Sequence, residues 1–177
     1  MTQRTENLLG ALAVLVTDEM DALDIHPALA GATTRAMLNA IGQYPEPSIE
    51  LLREAVALSH PAAVRAVAGL VEAGLVEKRA GADKRSVALA LTSTGKREVK
   101  RLQHARDAML TRIVTHLDGN ERKTLEDLLI KMLWHETRDP AHAMQLCRFC
   151  DDAPCLKAGC PIECRDSGLP MPTRSAQ

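Results

Sequence analysis

Residues 48–91 read SIELLREAVALSHPAAVRAVAGLVEAGLVEKRAGADKRSVALAL, and their pattern decides the fold. The spacing predicts a helix, a tight turn, a second helix, a strand, a basic hairpin tip and a returning strand. In the second helix Val64, Val67, Ala68 and Val71 fall at i, i+3, i+4 and i+7, a single apolar stripe. Ser59 stands where an N-cap belongs. Pro61 falls in the first turn, where its missing N–H goes unneeded. The opposite face near the helix start carries His60, Ala62, Ala63, Arg65 and Ala66. Mostly small side chains there permit close approach to another surface, and the Arg65 guanidinium suits a phosphate or a guanine edge. Ala73-Gly74 closes the helix, Leu75-Val76 opens a strand, and Val87, Leu89 and Leu91 alternate in the returning strand.

Residues 60–100 hold eight Lys/Arg (65, 78, 79, 84, 85, 96, 97, 100) against four Asp/Glu (72, 77, 83, 98). The chain as a whole has a formal charge of −1, so positive charge is concentrated on this segment. A local basic face beside a helix-turn-helix is the footprint of a phosphate-backbone partner.

The runs LSHPAAVRAVAGLVEAGLVEKR and DKRSVALALTSTG resemble the winged helix of the MarR family of bacterial transcriptional regulators. The D-x-R of the hairpin tip (Asp83, Arg85) and the L-T-x-x-G that opens the next helix (Leu91, Thr92, Gly95) are the most specific matches, and the resemblance covers roughly residues 5–138. It implies a homodimer on double-stranded DNA, with recognition helices in successive major grooves and wings on the flanking minor grooves. By that resemblance Ser59, His60, Ala62 and Arg65 face DNA. Arg85 enters the minor groove beside Lys84, and Asp83 steadies the basic wing. The recognition helix is richer in alanine than many relatives, which shifts specificity toward DNA shape.

The expected fold is mainly α with a small β-hairpin wing, a winged helix-turn-helix between dimerisation helices. Residues 1–43 form the N-terminal dimerisation helices and 44–92 the DNA-binding region. Residues 93–138 form the C-terminal dimerisation helices, and 139–177 a Cys-rich tail. One helix is expected over 4–23, with Leu8, Leu12, Leu15 and Val16 on one face, and another over 28–41 closed by Gly42. Prolines 45 and 47 make a stiff connector, after which Ser48 caps the first helix of the pair. A long helix begins at Thr92 or Ser93. The last expected helix, 120–137, shows Leu125, Leu128, Leu129, Met132 and Leu133. The terminal helices carry more apolar surface than the winged helix can cover. Either they fold back as a monomer core or they pair with a second copy; the resemblance implies the second, and two-fold symmetry is the usual solution.

Composition narrows the function classes. The chain has 177 residues, 46% apolar but only 2% aromatic, which favours packed helices and leaves few platforms for stacking single-stranded bases. No apolar run reaches the length of a membrane span and MTQRTENLLG lacks a signal-peptide pattern, so a cytoplasmic protein is expected. His26 and His104 lack a ligand-like setting; His116 and His135 could approach each other across the final two helices, with a zinc site there the lesser reading. No Ser/His/Asp order, phosphate loop or HExxH occurs, so an enzyme is not expected.

From Arg138 onward the character changes. Cys147, Cys150, Cys155, Cys160 and Cys164 follow C-x2-C-x4-C-x4-C-x3-C within 18 residues. In a reducing compartment this density points to metal or redox chemistry. A tail so polar and Pro-rich is expected to need bridging ligands to order it, not a core of its own. Three chemistries fit. An iron–sulfur cluster held by a short run of thiolates suits the spacing and the Cys160-Pro161 pair best. Zinc follows, although only one C-x2-C knuckle is present. A ligand-free thiol switch, with Arg148, Lys157 and Arg165 nearby, is third. The leading reading is a DNA-binding regulator, a repressor, whose tail senses redox state or metal. Its rivals are a repressor answering a phenolic or lipophilic effector, with structural zinc in the tail, and an electron-transfer or scaffold protein whose winged helix contacts another protein.

Overall fold

The protein is described from a computed structural model over residues 3–23, 25–80 and 87–173. The first helix, α1 (Arg4–Asp21), leads through a 3-10 turn (Pro27–Leu29) to α2 (Ala32–Gln43). The helix-turn-helix follows as α3 (Ile49–Ala55) and α4 (His60–Glu72), then β1 (Val76–Ala80) and β2 (Val87–Leu91). Two long helices, α5 (Ser93–Val114) and α6 (Gly119–Glu136), precede three short ones: α7 (Pro140–Cys147), α8 (Asp152–Ala158) and α9 (Pro161–Asp166). The architecture is mostly helical with one antiparallel hairpin, in the register Val76↔Leu91 to Ala80↔Val87.

Local chemistry accounts for the boundaries. Ser48 Oγ accepts the Leu51 N–H at 3.2 Å, capping α3. Asp118 and Glu121 close a capping box on α6. Gly74 takes φ +68° after α4, a conformation that favours glycine. The L-T-x-x-G pattern has a specific cause at this junction. Thr92 Oγ1 donates to Gly74 O at 2.7 Å and accepts the Gly95 N–H at 3.0 Å, and a Cβ on residue 95 would sit 2.0 Å from Leu75 O. Only glycine lets α5 start against the end of α4.

The core gathers Leu29, Met37, Leu38, Ile41, Leu52, Val67, Leu70, Leu75 and Leu89, so α2 is the hub on which the helix-turn-helix and hairpin close. Arg35 is buried there. It donates to Ala30 O at 3.1 Å and pairs with Asp21 at the end of α1, which fastens α1 to the core.

Four expectations need correction. Gly42 does not end α2; it lies inside the helix, where a Cβ would stand 3.2 Å from Leu91 Cδ1. The second helix also starts later than residue 28, because Pro27–Leu29 form a separate turn. On α4 the buried positions are Ala63, Val67 and Leu70, while Val64 and Ala68 are exposed. Both stripes obey helical spacing, and burying Leu70, the largest apolar side chain of α4, turns the helix to the second.

The fourth correction concerns the tail, which has a small core of its own. Ala143 and Ile162 are buried, and Met144 and Phe149 pack against the main core. Helix α7 lies on α3, and α9 lies on α6 and α7. The Arg165 guanidinium stands 5.5 Å over the Trp134 ring. The tail is therefore joined to the winged helix through side chains, not appended to it.

Candidate DNA interface and cysteine site

The outer surface of α4 presents Ser59, His60, Val64, Arg65 and Ala68, all exposed, with Ala62 half-buried. Ser59 is the N-cap by backbone position and Pro61 lies in the first turn, as the sequence predicts. Val64 and Ala68 enter this face only because the buried stripe is rotated. A small apolar side chain on a groove-facing helix suits a thymine methyl. Lys78 and Arg79 are exposed on β1, and Arg79 Nε donates to Glu77 Oε1 at 2.8 Å. Asp83, Lys84 and Arg85 lie outside the described residues.

Besides Glu77, a second carboxylate stands against this basic surface. Glu50, on α3, accepts from Arg53, and its Oε1 lies 2.7 Å from His60 Nδ1. These contacts, Arg53 first, hold the Glu50 carboxyl below the usual range. His60 is thus paired within the chain.

The five cysteines divide four to one. Cys147 ends α7, Cys150 sits in the following loop, Cys155 is on α8 and Cys160 is the N-cap of α9. These four line one cavity of about 390 Å³, with Gln43 and Tyr44 from the end of α2, Leu133 from α6, and Asp152 and Glu163 on its rim. Cys164 is not among the lining side chains. Gly159, at φ +87°, turns the chain so that Cys160 comes back toward Cys155.

Thiol-to-thiol hydrogen bonding links Cys147 with Cys150 and Cys160, and Cys155 with Cys160. These links push the Cys147 thiol up, and the Cys155 thiol up through Cys160. Their partners move the other way: the bond from Cys147 brings Cys150 down to about 7, and Cys147 and Cys155 together lower Cys160. The Arg106 guanidinium of α5 adds positive potential at Cys150 and Cys155. Among the described residues, no group of three or more His, Cys, Asp or Glu is already arranged to hold one metal ion. The four cysteines line one cavity.

Amide side chains from the winged helix hold the loop of this site. Asn39 Nδ2 donates to Arg148 O and Cys150 O, both at 3.1 Å, and Gln43 Nε2 donates to Cys150 O at 2.9 Å and Asp152 Oδ1 at 2.8 Å. Gln103 on α5 donates to Asn39 Oδ1 at 3.1 Å. Gln145 on α7 donates to Glu54 O at 3.2 Å, near the turn between α3 and α4. Sequence reading missed these amides, since Asn39 and its acceptors lie more than a hundred residues apart and no local pattern joins them.

A second, apolar cleft of about 350 Å³ lies between α6 and the tail, lined by Leu125, Leu129, Ile130 and Leu133 with Arg122 at its edge. It shares Cys155 and Cys160 with the first cavity.

Residues 32–86 match the MarR family model. No curated protein matches the chain significantly. Among solved structures, the chain is similar to a MarR family protein from Bacillus stearothermophilus, with a TM-score of 0.64, 19% identity, and coverage of 78% of this chain and 99% of that one. The reduced form of MarR from E. coli gives a TM-score of 0.56 at 26% identity, over 71% of this chain and 96% of the other. The YusO protein from Bacillus subtilis gives 0.60 at 18% identity, over 73% and 92%. The cysteine tail lies outside the residues matched by the family model.

Proposed function

We propose that this chain, which carries the MarR family pattern over residues 32–86 in the winged-helix fold of MarR-type regulators, is a repressor that binds a palindromic operator as a homodimer. The observation that carries the reading is the outer face of α4: Arg65 and His60 on an exposed surface of small side chains, next to Lys78 and Arg79. Such a face reaches the floor of a major groove, while the basic strand reaches the backbone.

The apolar surface of the terminal helices supports the dimer. No residue of α1 is buried, and Leu8, at 60% exposure, leads a face that includes Leu9, Leu12 and Leu15. Leu128, Leu129 and Met132 of α6 are exposed as well. A monomer does not leave such helices open to water at rest. On a two-fold dimer, each α4 enters one half-site.

The tail supplies the signal in this reading. Four thiols around one cavity, pinned to α2 and α3, suit a redox- or metal-sensing group, with an iron–sulfur cluster ahead of zinc. The apolar cleft between α6 and the tail supports a second reading, in which a lipophilic effector is the signal and the cysteines are a structural clip. The two readings share the DNA interface and differ in what releases it.

The test of the interface is Arg65→Ala, measured by fluorescence anisotropy on duplex DNA over a range of salt. Loss of one groove contact weakens specific binding by about 1–3 kcal/mol. Affinity unchanged by that substitution and insensitive to salt would remove DNA as the partner and favour a protein-contact role.

A further inference from the structure

We infer that Cys147, Cys150, Cys155 and Cys160 together ligate one iron–sulfur cluster, that Cys164 stands outside the set, and that Gln145 carries the state of this site to the helix-turn-helix. The inference rests on the regulator reading above and deepens it by naming the ligands and the route.

Three observations carry the ligand set. The four thiols come from one short run that wraps a single cavity, and Cys164 does not line it. The run holds only one C-x2-C knuckle, where zinc's commonest sites use two, and a short run of thiolates suits a cluster. The chain also provides for the charge. Each thiol gives up its proton on ligation, and Arg106 of α5 faces Cys150 and Cys155. Met144, Leu133 and Ile162 give the wall an apolar side, while Asp152, Glu163 and Asp166 line it as well.

The route to DNA follows from what holds the site. The loop between Cys147 and Cys150 hangs on Asn39 and Gln43 of α2, the hub of the winged helix. Two residues before Cys147, Gln145 donates to the carbonyl of Glu54. That carbonyl lies on the last turn of α3, just before the sharp turn at Ala57, with φ +56°, that sets the angle to α4. When the cluster leaves, the four cysteines lose their common anchor. The end of α7 relaxes, and the Gln145 contact with α3 goes with it. Recognition helices in a dimer must match the operator spacing, so a small change at this turn is read as affinity.

The experiment uses the full-length protein purified without oxygen, each of the five Cys→Ser variants, and Gln145→Ala. Visible absorption with iron and acid-labile sulfide analysis reads the cluster. Trp134 fluorescence checks that the tail is still docked. Anisotropy on a duplex selected by the wild-type protein reads affinity, before and after removal of iron by a chelator. Wild type and Cys164→Ser are expected to carry equal amounts of iron and sulfide, and the other four serine variants to lose both. Wild type is expected to change its affinity at least tenfold on chelation. Gln145→Ala is expected to keep its cluster and to respond less than threefold.

Full iron and sulfide in any of the four variants with the tail docked, or loss of the cluster in Cys164→Ser, would overturn the ligand set. Zinc without sulfide in the wild type would overturn the cluster. A wild-type affinity that does not respond to chelation, or a Gln145→Ala that responds in full, would overturn the route and leave the ligand set standing. If no form binds any duplex, the regulator reading fails and the route with it, while the iron and sulfide content still decides the ligands.

Discussion

Replacing Asn39 by alanine tests whether the tail is part of the folded unit. Asn39 is only 1% exposed and makes three hydrogen bonds: two donated to Arg148 O and Cys150 O, and one accepted from Gln103. Alanine leaves those partners without their amide in a place water reaches poorly. Each buried hydrogen bond contributes roughly 1 kcal/mol net, and its loss costs more where the partner stays unsatisfied. The Cys150 carbonyl keeps its bond from Gln43 at 2.9 Å, which offsets part of the loss. The expected destabilisation is about 2–3 kcal/mol. Asn39→Asp should do at least as much harm, because a carboxylate cannot donate and would face two carbonyl oxygens. Urea unfolding followed by Trp134 fluorescence, at one fixed protein concentration, reads the change. A shift below about 0.5 kcal/mol for both variants, with an unchanged slope, would show that the tail is not held to α2 as described.

Two further predictions concern the winged helix. Gly95→Ala places a Cβ 2.0 Å from the Leu75 carbonyl, so the start of α5 must move; destabilisation of about 3 kcal/mol is expected in thermal or urea unfolding, and a neutral result would refute the junction geometry. Glu50→Gln loosens the hold on His60 and Arg53 and removes a negative charge beside the proposed DNA face. Affinity for duplex DNA should rise about twofold to fivefold at low salt, converging with wild type as salt increases. A fall in affinity would mean that Glu50 holds His60 in its DNA-competent position.

Much of the winged helix was legible because its signals are local. Ser48, Pro61 and Gly74 act within a few residues of themselves, as does Thr92 in capping α5, and the structure places each where the pattern predicts. The inner stripe of α4 was misjudged because two sets of positions satisfy the same period, and only packing against α2 and α3 selects Leu70. Gly42 was misread for a related reason: a helix-ending glycine and one kept small by a neighbouring Leu91 look alike in sequence. The cysteine spacing announced a ligand site but not its membership. Four of the five share a cavity because Gly159 and the N-cap position of Cys160 fold the run back on itself, and Cys164 falls one turn too far along α9. Docking of the tail was not legible at all. It depends on amides of α2 meeting carbonyls of residues 148 and 150, a match made only once the chain has folded.

The proposed function requires a dimer of this chain to read duplex DNA through α4. The most direct measurement is selection of bound sequences by the purified protein from a random duplex library at near-physiological salt. Enrichment of an inverted repeat is expected, with half-sites about one helical turn apart or a multiple of it, lost in Arg65→Ala. Bound pools that stay random, or a single unrepeated motif held equally well by Arg65→Ala, would contradict it.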